Sequence, residues 1–358
     1  MYTLPIKYAL IFFPFIAFLI TIPYMIYEYH KYGSISKLRT FIIYSFILYL
    51  MVIYFLVILP LPTREYVSSL KTPWFNLIPF KFIYDFFKET SLNLKLPQTY
   101  LKSLTEPCFY VVVFNIFMTI PFGMYLRYYF KCSFKKTLLL TFFLSLFFEI
   151  TQLTGLYFIY ERPYRLADVD DLILNTLGGI LGYLLAIILI KILPSRDKID
   201  DTSFKKGEVV LPIRRLTMFF LDLGITLSTI IILENFIKFK YLNLIIIIIY
   251  YILIPFITKG YTIGSSLVKV KFKFTNNLLF GLIIRTIFYF IYLNLIFILF
   301  KIVDFLSINS YLLIIIKIYI LVKVLEFYLI NFIILFKNKT IYYDNLIKIK
   351  YISTIKIK

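Results

Sequence analysis

The stretch DLILNTLGGILGYLLAIILIKIL, residues 171–193, carries charge only at Asp171 and Lys191. About 20 apolar residues, each rising about 1.5 Å along a helix, cross the hydrocarbon core of a bilayer. Inside lipid every backbone N–H and C=O must be paired within the segment, so a run this long reads as a transmembrane helix. Working outward, similar runs occupy residues 9–27, 41–61, 109–128, 137–157, 216–236, 242–257, 278–303 and 311–335. The expected fold class is an all-α polytopic membrane protein with about nine transmembrane helices in two bundles.

Composition agrees. Of the 358 residues 61% are hydrophobic and only 16% are charged, against about 45–50% and about 25% in soluble domains. Too little polar surface remains to clothe a water-soluble globule, so membrane lipids are the expected surroundings. The net charge of +20 points away from nucleic acid, because Lys and Arg sit in short clusters between apolar runs, as in cytoplasmic loops. Basic clusters follow every second span: Lys31, Lys37 and Arg39; Arg127 to Lys136; Lys191 to Arg215; Lys259 to Lys273; and the tail from Lys337. This alternation predicts an outside N-terminus and a cytoplasmic C-terminus in a cell membrane. The Ile-, Lys- and Asn-rich usage suggests a bacterial source. The first span has one lysine before it and is long enough to cross, so it reads as a span and not as a cleaved leader.

Cys108 and Cys132 fall at opposite ends of one span, about 36 Å of helix apart, too far for a disulfide. With His30 as the single histidine, no zinc site can be assembled. No phosphate-binding glycine loop is present, and no cofactor or metal is expected. The polar stretch 194–211 reads as a cytoplasmic linker between a five-span unit, residues 1–193, and a four-span unit, residues 212–358.

The first unit concentrates polar residues toward one membrane face. A loop over residues 62–107 carries Arg64 and the run WFNLIPF, residues 74–80. Its tryptophan and prolines suggest an interfacial or re-entrant segment. Span three holds Asn115 and Pro121-Phe122-Gly123. Span four places Glu149 and Gln152 three residues apart, on one helical face. Arg165, Asp168, Asp170, Asp171 and Asn175 surround the start of span five. Asp168, Asp171 and Asn175 share a face that Gly178 and Gly182 continue as a small-xxx-small pair, and this stripe is expected to face span four. A carboxylate at the centre of a membrane helix costs roughly 2.5–3.5 kcal/mol and needs a partner or water. Asp170 reads as a solvated cap of its own helix start.

The set Asn76-x-x-Pro79-Phe80, Pro121-Phe122-Gly123, Glu149-x-x-Gln152 and Arg165-x-x-Asp168-x-x-Asp171-x-x-x-Asn175-x-x-Gly178-Gly179 closely resembles VanZ-like membrane proteins, over residues 40–193. The resemblance implies a bacterial envelope protein linked to glycopeptide sensitivity. On the residues themselves, Arg64, Asn76, Glu149, Gln152, Arg165, Asp168, Asp171 and Asn175 form an outward ligand pocket for a polar or anionic head group. Candidate occupants are a lipid, a lipid-linked cell-wall precursor or an amphiphilic antibiotic, with arginine binding phosphate. Alternatively Arg165 pairs with Asp168 or Asp171 and Glu149 bonds Gln152 and Asn175, so that the set locks helices together. A third use of Glu149 with Asp168 or Asp171 is acid–base work in a lipid-modifying enzyme. No catalytic residue is assigned.

A second polar cluster follows residue 211: Arg214-Arg215, Asp222 within an apolar span, the Thr262-x-Gly264 turn, Arg285, and Asp344 inside Tyr342-Tyr343-Asp344-Asn345-Leu346. It resembles the RDD family, named for an arginine and two aspartates. Ser265 stands where that family usually has lysine, and Tyr343 where it often has histidine. The resemblance implies an ion- or proton-coupled transporter. Arg214 is the expected partner of Asp222, either in transport or as a structural clasp.

Overall fold

The computed structural model of the chain describes residues 3–93, 95–274, 277–305, 310–337, 344 and 348–356. Tyr342, Tyr343, Asn345 and Leu346 of the second cluster lie outside the described residues. The chain forms two compact units, Met1–Leu19 with Lys37–Ile199, and Ile20–Ser36 with Asp200–Lys358.

In the first half the helices are α1 (Thr3–Tyr32), α2 (Lys37–Ile58), α3 (Arg64–Ser69), α4 (Lys81–Glu89), α5 (Gln98–Ser103), α6 (Pro107–Tyr128), α7 (Phe134–Leu153), the short turn α8 (Gly155–Phe158), α9 (Val169–Ile192) and α10 (Arg196–Gly207). Strands β1 (Phe75–Asn76) and β2 (Ala167–Asp168) pair in parallel. The second half holds α11 (Pro212–Phe236), α12 (Leu242–Ile248), a π-helical turn (Ile249–Leu253), α13 (Ile254–Ile257), α14 (Ile263–Leu267), α15 (Leu278–Phe305) and α16 (Ser310–Phe336). Strands β3 (Val270–Phe274) and β4 (Ile349–Ser353) pair antiparallel there. The boundary between the units falls within α10, inside the stretch read as a linker, and the end of α1 goes with the second unit.

Seven of these helices, α1, α2, α6, α7, α9, α11 and α15, are long and apolar enough to cross a membrane. Their outward faces carry bare large side chains: Phe18 is 74% exposed, Phe41 70% and Ile192 72%. Water would penalise such a surface and lipid removes the penalty. The protein is therefore a multi-pass membrane protein. The other two expected spans differ in kind. Residues Leu242–Ile257 form a shorter apolar helix broken by the π turn, and α16 carries Lys317, Lys323 and Glu326.

Helix ends follow local chemistry. Pro107 opens α6, where its missing N–H is not needed. Ser133 caps α7 by accepting from Lys136 N, and Asp168 caps α9 by accepting from Asp170 N. Glycine sets the tightest contact of the first unit. A Cβ added at Gly182 would lie 1.9 Å from the Ile120 carbonyl oxygen, and one at Gly178 would lie 2.1 Å from that of Ile116. Helices α6 and α9 thus touch backbone to backbone. The stripe of Gly178 and Gly182 therefore faces span three. Gly179, rotated about 100° around the helix, is the glycine that meets span four, against the Thr141 side chain.

Candidate functional site

Pro60 and Pro62 shape one wall of the site. In a continuing helix the N–H of residue 60 would bond the carbonyl of Leu56, and that of residue 62 the carbonyl of Ile58. Proline supplies neither. The segment before α9 replaces them. Arg165 donates from Nη1 to Leu56 O at 3.1 Å and from Nη2 to Leu59 O, and Tyr164 donates its hydroxyl to Ile58 O. Tyr160 and Arg162 continue the pattern onto the carbonyls of Pro62, Leu70 and Thr72. Arg165 therefore holds backbone carbonyls, which the expectation of an arginine reserved for aspartate or phosphate did not anticipate. Burial pushes the Tyr164 phenol up to about 12, which keeps it a neutral donor.

The loop motif is the second wall. Parallel pairing sets Asn76 opposite Asp168, and Asn76 Nδ2 donates to Asp168 Oδ1 at 3.0 Å. Asp168 Oδ1 also accepts from Asp170 N at 2.9 Å. Burial moves the Asp168 carboxyl above the ordinary aspartate value, while the donors from Asp170 and Asn76 pull the other way. Asp170 departs from the sequence reading. It is 3% exposed, and its two oxygens accept from Phe80 N at 2.6 Å and Phe82 N at 2.9 Å. It caps α4 across the fold, because the first N–H groups of that helix have no side-chain cap of their own. Pro79-Phe80 in the motif is thus the entry to a helix that Asp170 anchors.

Between these walls α2, α6, α7 and α9 enclose a cavity of about 500 Å³. Its polar lining includes Asn115, Glu149, Gln152, Arg165, Asp171 and Asn175. Glu149 accepts from Asp168 N at 2.8 Å through Oε2. Asp171 Oδ1 accepts from Asn115 Nδ2. Asn175 donates from Nδ2 to Ser145 Oγ at 3.0 Å, and its carbonyl accepts from Thr119 Oγ1 at 2.7 Å. Two oxygens remain buried without a hydrogen-bond partner, Gln152 Oε1 and Asn175 Oδ1. The expected bonding of Glu149 to Gln152 and Asn175 is replaced by bonds to a backbone N–H and to serine. Glu149 also lines an apolar recess of about 370 Å³, with Leu146, Ile150, Leu153 and Leu172.

Of the eight residues expected here, five line the cavity. Asn76 and Asp168 stand in the wall and in the recess beside it. Arg64 is exposed on α3 and is not part of the lining. Asn115 and Tyr164 also line it and had no assigned role. A lone asparagine in an apolar span was the available signal for the first.

The second unit's cluster is built differently. Asp222 is 1% exposed and accepts from Tyr250 Oη at 2.7 Å, Thr262 Oγ1 at 2.8 Å and Gly264 N at 2.9 Å. Thr262 in turn caps α14 in a reciprocal capping box with Ser265. Arg214 is not the partner of Asp222. Eight residues of helix, about 12 Å of rise, separate the two. Its guanidinium donates to the carbonyls of Gly207, Val268 and Lys269 and to Ser353 Oγ. Arg215 takes the ion pair, with Asp344, whose other oxygen accepts from Tyr351 Oη at 3.0 Å. Arg285 lies over the Phe272 ring at 4.0 Å.

Neither the curated proteins nor the solved structures contain a match to the chain. Residues 46–191, which fall in the first unit and include every polar residue of its cavity, match the family model described as VanZ/LLP1.

Proposed function

We propose that the first unit binds the head group of a lipid or lipid-like amphiphile in the cavity beside Glu149, and that this binding alters how the cell envelope responds to amphiphilic antibiotics. The observation carrying this reading is the pair of buried, unpartnered oxygens on two residues that line that cavity, Gln152 Oε1 and Asn175 Oδ1. An unmade hydrogen bond in a buried site costs about 1–3 kcal/mol. Helices that only needed to lock together would gain by satisfying or removing both groups. The neighbouring apolar recess offers space for a hydrocarbon chain. The match to VanZ/LLP1 supports an envelope setting, and the pattern of basic loops supports a cavity that faces outward.

The RDD resemblance of the second unit enters the same proposal as a supporting module. Its landmark residues Asp222, Thr262 and Gly264 meet at one junction. Saturation of the Asp222 carboxylate by three neutral donors favours a structural junction over an ion path.

The experiment is susceptibility of bacteria expressing the full chain to glycopeptide and lipopeptide antibiotics. Asp171→Ala, inserted and abundant like the parent, is expected to abolish the shift in susceptibility that the parent causes. A variant that shifts susceptibility as the parent does would refute the reading.

A further inference from the structure

The hydrogen-bonding capacity left open in the cavity is mostly of one kind, acceptor oxygens outnumbering the two donors, Gln152 Nε2 and the Tyr66 hydroxyl, that have no protein acceptor among the described residues. Among the described residues, Glu149 Oε2 and Asp171 Oδ1 receive protein donors, while Glu149 Oε1 and Asp171 Oδ2 receive none. Asn175, only 2% exposed, leaves Oδ1 unpartnered, and Gln152 leaves Oε1. With Asn115 Oδ1, which likewise receives no donor among the described residues, these are five acceptor oxygens. The other donors of the lining are committed. Arg165 points Nη1 and Nη2 at carbonyls. Asn115 Nδ2 and Asn175 Nδ2 go to Asp171 and Ser145, and the Tyr164 hydroxyl goes to Ile58.

Such a lining is complementary to a ligand that brings donors. An anionic head group would set its lone pairs against five acceptor oxygens, two of them on carboxyl groups. A bare divalent cation needs six or more oxygens, or several retained waters. Among the described residues no three His, Cys, Asp or Glu side chains are grouped to hold a metal. A primary ammonium has three N–H donors and no acceptor, which matches one oxygen each from Glu149, Asp171 and Asn175. The lining holds two carboxyl groups, and an ammonium beside them favours their charged forms.

Resting on the amphiphile reading above, we infer that the occupant carries a primary ammonium in its head group. Its N–H groups are directed at Glu149, Asp171 and Asn175, and its hydrocarbon chain lies along the apolar recess beside Glu149.

The test uses the full chain in detergent and three short-chain lipids: phosphatidylethanolamine, phosphatidylcholine and phosphatidylglycerol. Phosphatidylcholine keeps the positive charge and has no N–H. Phosphatidylglycerol has hydroxyls and a net negative charge. Binding is followed by the fluorescence of Trp74, the single tryptophan, whose carbonyl accepts from Ala167 N beside the site, and by native mass spectrometry. Phosphatidylethanolamine is expected to bind at least about tenfold tighter than either other lipid, the scale of one charge-assisted hydrogen bond. Glu149→Gln and Asp171→Asn, close in shape to the parent residues, are expected to erase that preference. Equal binding of all three lipids, or tightest binding of phosphatidylglycerol, overturns the ammonium assignment and leaves the amphiphile site standing. Displacement of phosphatidylethanolamine by Mg²⁺ or Ca²⁺ overturns it in favour of a cation site. Binding of none of the three overturns both. The lipid series on the parent protein needs no variant, so a misfolded mutant cannot decide the result.

Discussion

Glu149 and Asp222 are both carboxylates buried in apolar helices, and they have opposite surroundings. Asp222 receives a tyrosine hydroxyl, a threonine hydroxyl and a backbone N–H, and it ties the start of α14 to α11. Glu149 receives one backbone N–H and borders a cavity where Gln152 and Asn175 also keep bare oxygens. Burial of an acid in a membrane helix therefore does not by itself mark a binding site. The number of donors already supplied by the protein separates a joint from a socket.

The comparison breaks most visibly at Asp222. Its truncation to alanine removes the acceptor that Tyr250, Thr262 and Gly264 share in a buried junction. Each such loss costs about 1 kcal/mol or more. Asp222→Ala is thus expected to lower stability by roughly 3 kcal/mol, read as thermal unfolding of the purified protein in detergent. Lipid binding by the first unit should survive at temperatures where the variant is folded. A variant as stable as the parent would show that the three bonds around Asp222 contribute nothing.

Next in size is the helix contact that holds the socket's back wall. Gly182→Ala would place a methyl 1.9 Å from the Ile120 carbonyl oxygen, so α6 and α9 must part. Overpacking of this kind costs about 1–3 kcal/mol. Because Asn115 on α6 reaches Asp171 on α9, the separation should also weaken ligand binding. Gly224 in α11 is the control, with nothing within 4 Å of an added Cβ. Gly224→Ala is expected to be neutral or to stabilise by up to about 1 kcal/mol through helix propensity. Equal melting temperatures for the two variants would remove the argument for backbone-to-backbone contact.

The sequence made the helices legible because lipid imposes length and polarity directly on each span. It also marked the polar stripe of Asp168, Asp171 and Asn175, since a period of 3.6 residues places them on one face. It could not say which neighbour each face meets. Gly178 and Gly179 are adjacent in sequence, yet a Cβ added at the first would meet α6 and one added at the second would meet α7, a fact of tertiary packing. The carbonyl bonds of Arg165 were hidden for a related reason. Its partners are carbonyls near Pro60, more than 100 residues earlier. The two prolines did announce missing donors, but nothing local said which side chain would replace them. Asp170 was likewise read within its own helix, whereas its partners Phe80 N and Phe82 N come from a distant loop. Local chemistry was readable, and bonds between distant segments were not.

The smallest stability change expected is the sharpest test of the contrast. Glu149→Gln keeps a carbonyl oxygen to accept from Asp168 N, so the one protein bond of this side chain survives. It also removes a buried acid that no basic side chain pairs directly among the described residues, and losing such a group tends to offset any cost. The expected change in stability is below about 1 kcal/mol in either direction. Ligand binding should nevertheless fall, because the lost acid faces the cavity. Side by side, Asp222→Ala should melt early and Glu149→Gln should melt with the parent. If Glu149→Gln unfolds as early as Asp222→Ala, the first unit's carboxylate is a joint like the second's, and the empty space beside it has no claim to a ligand.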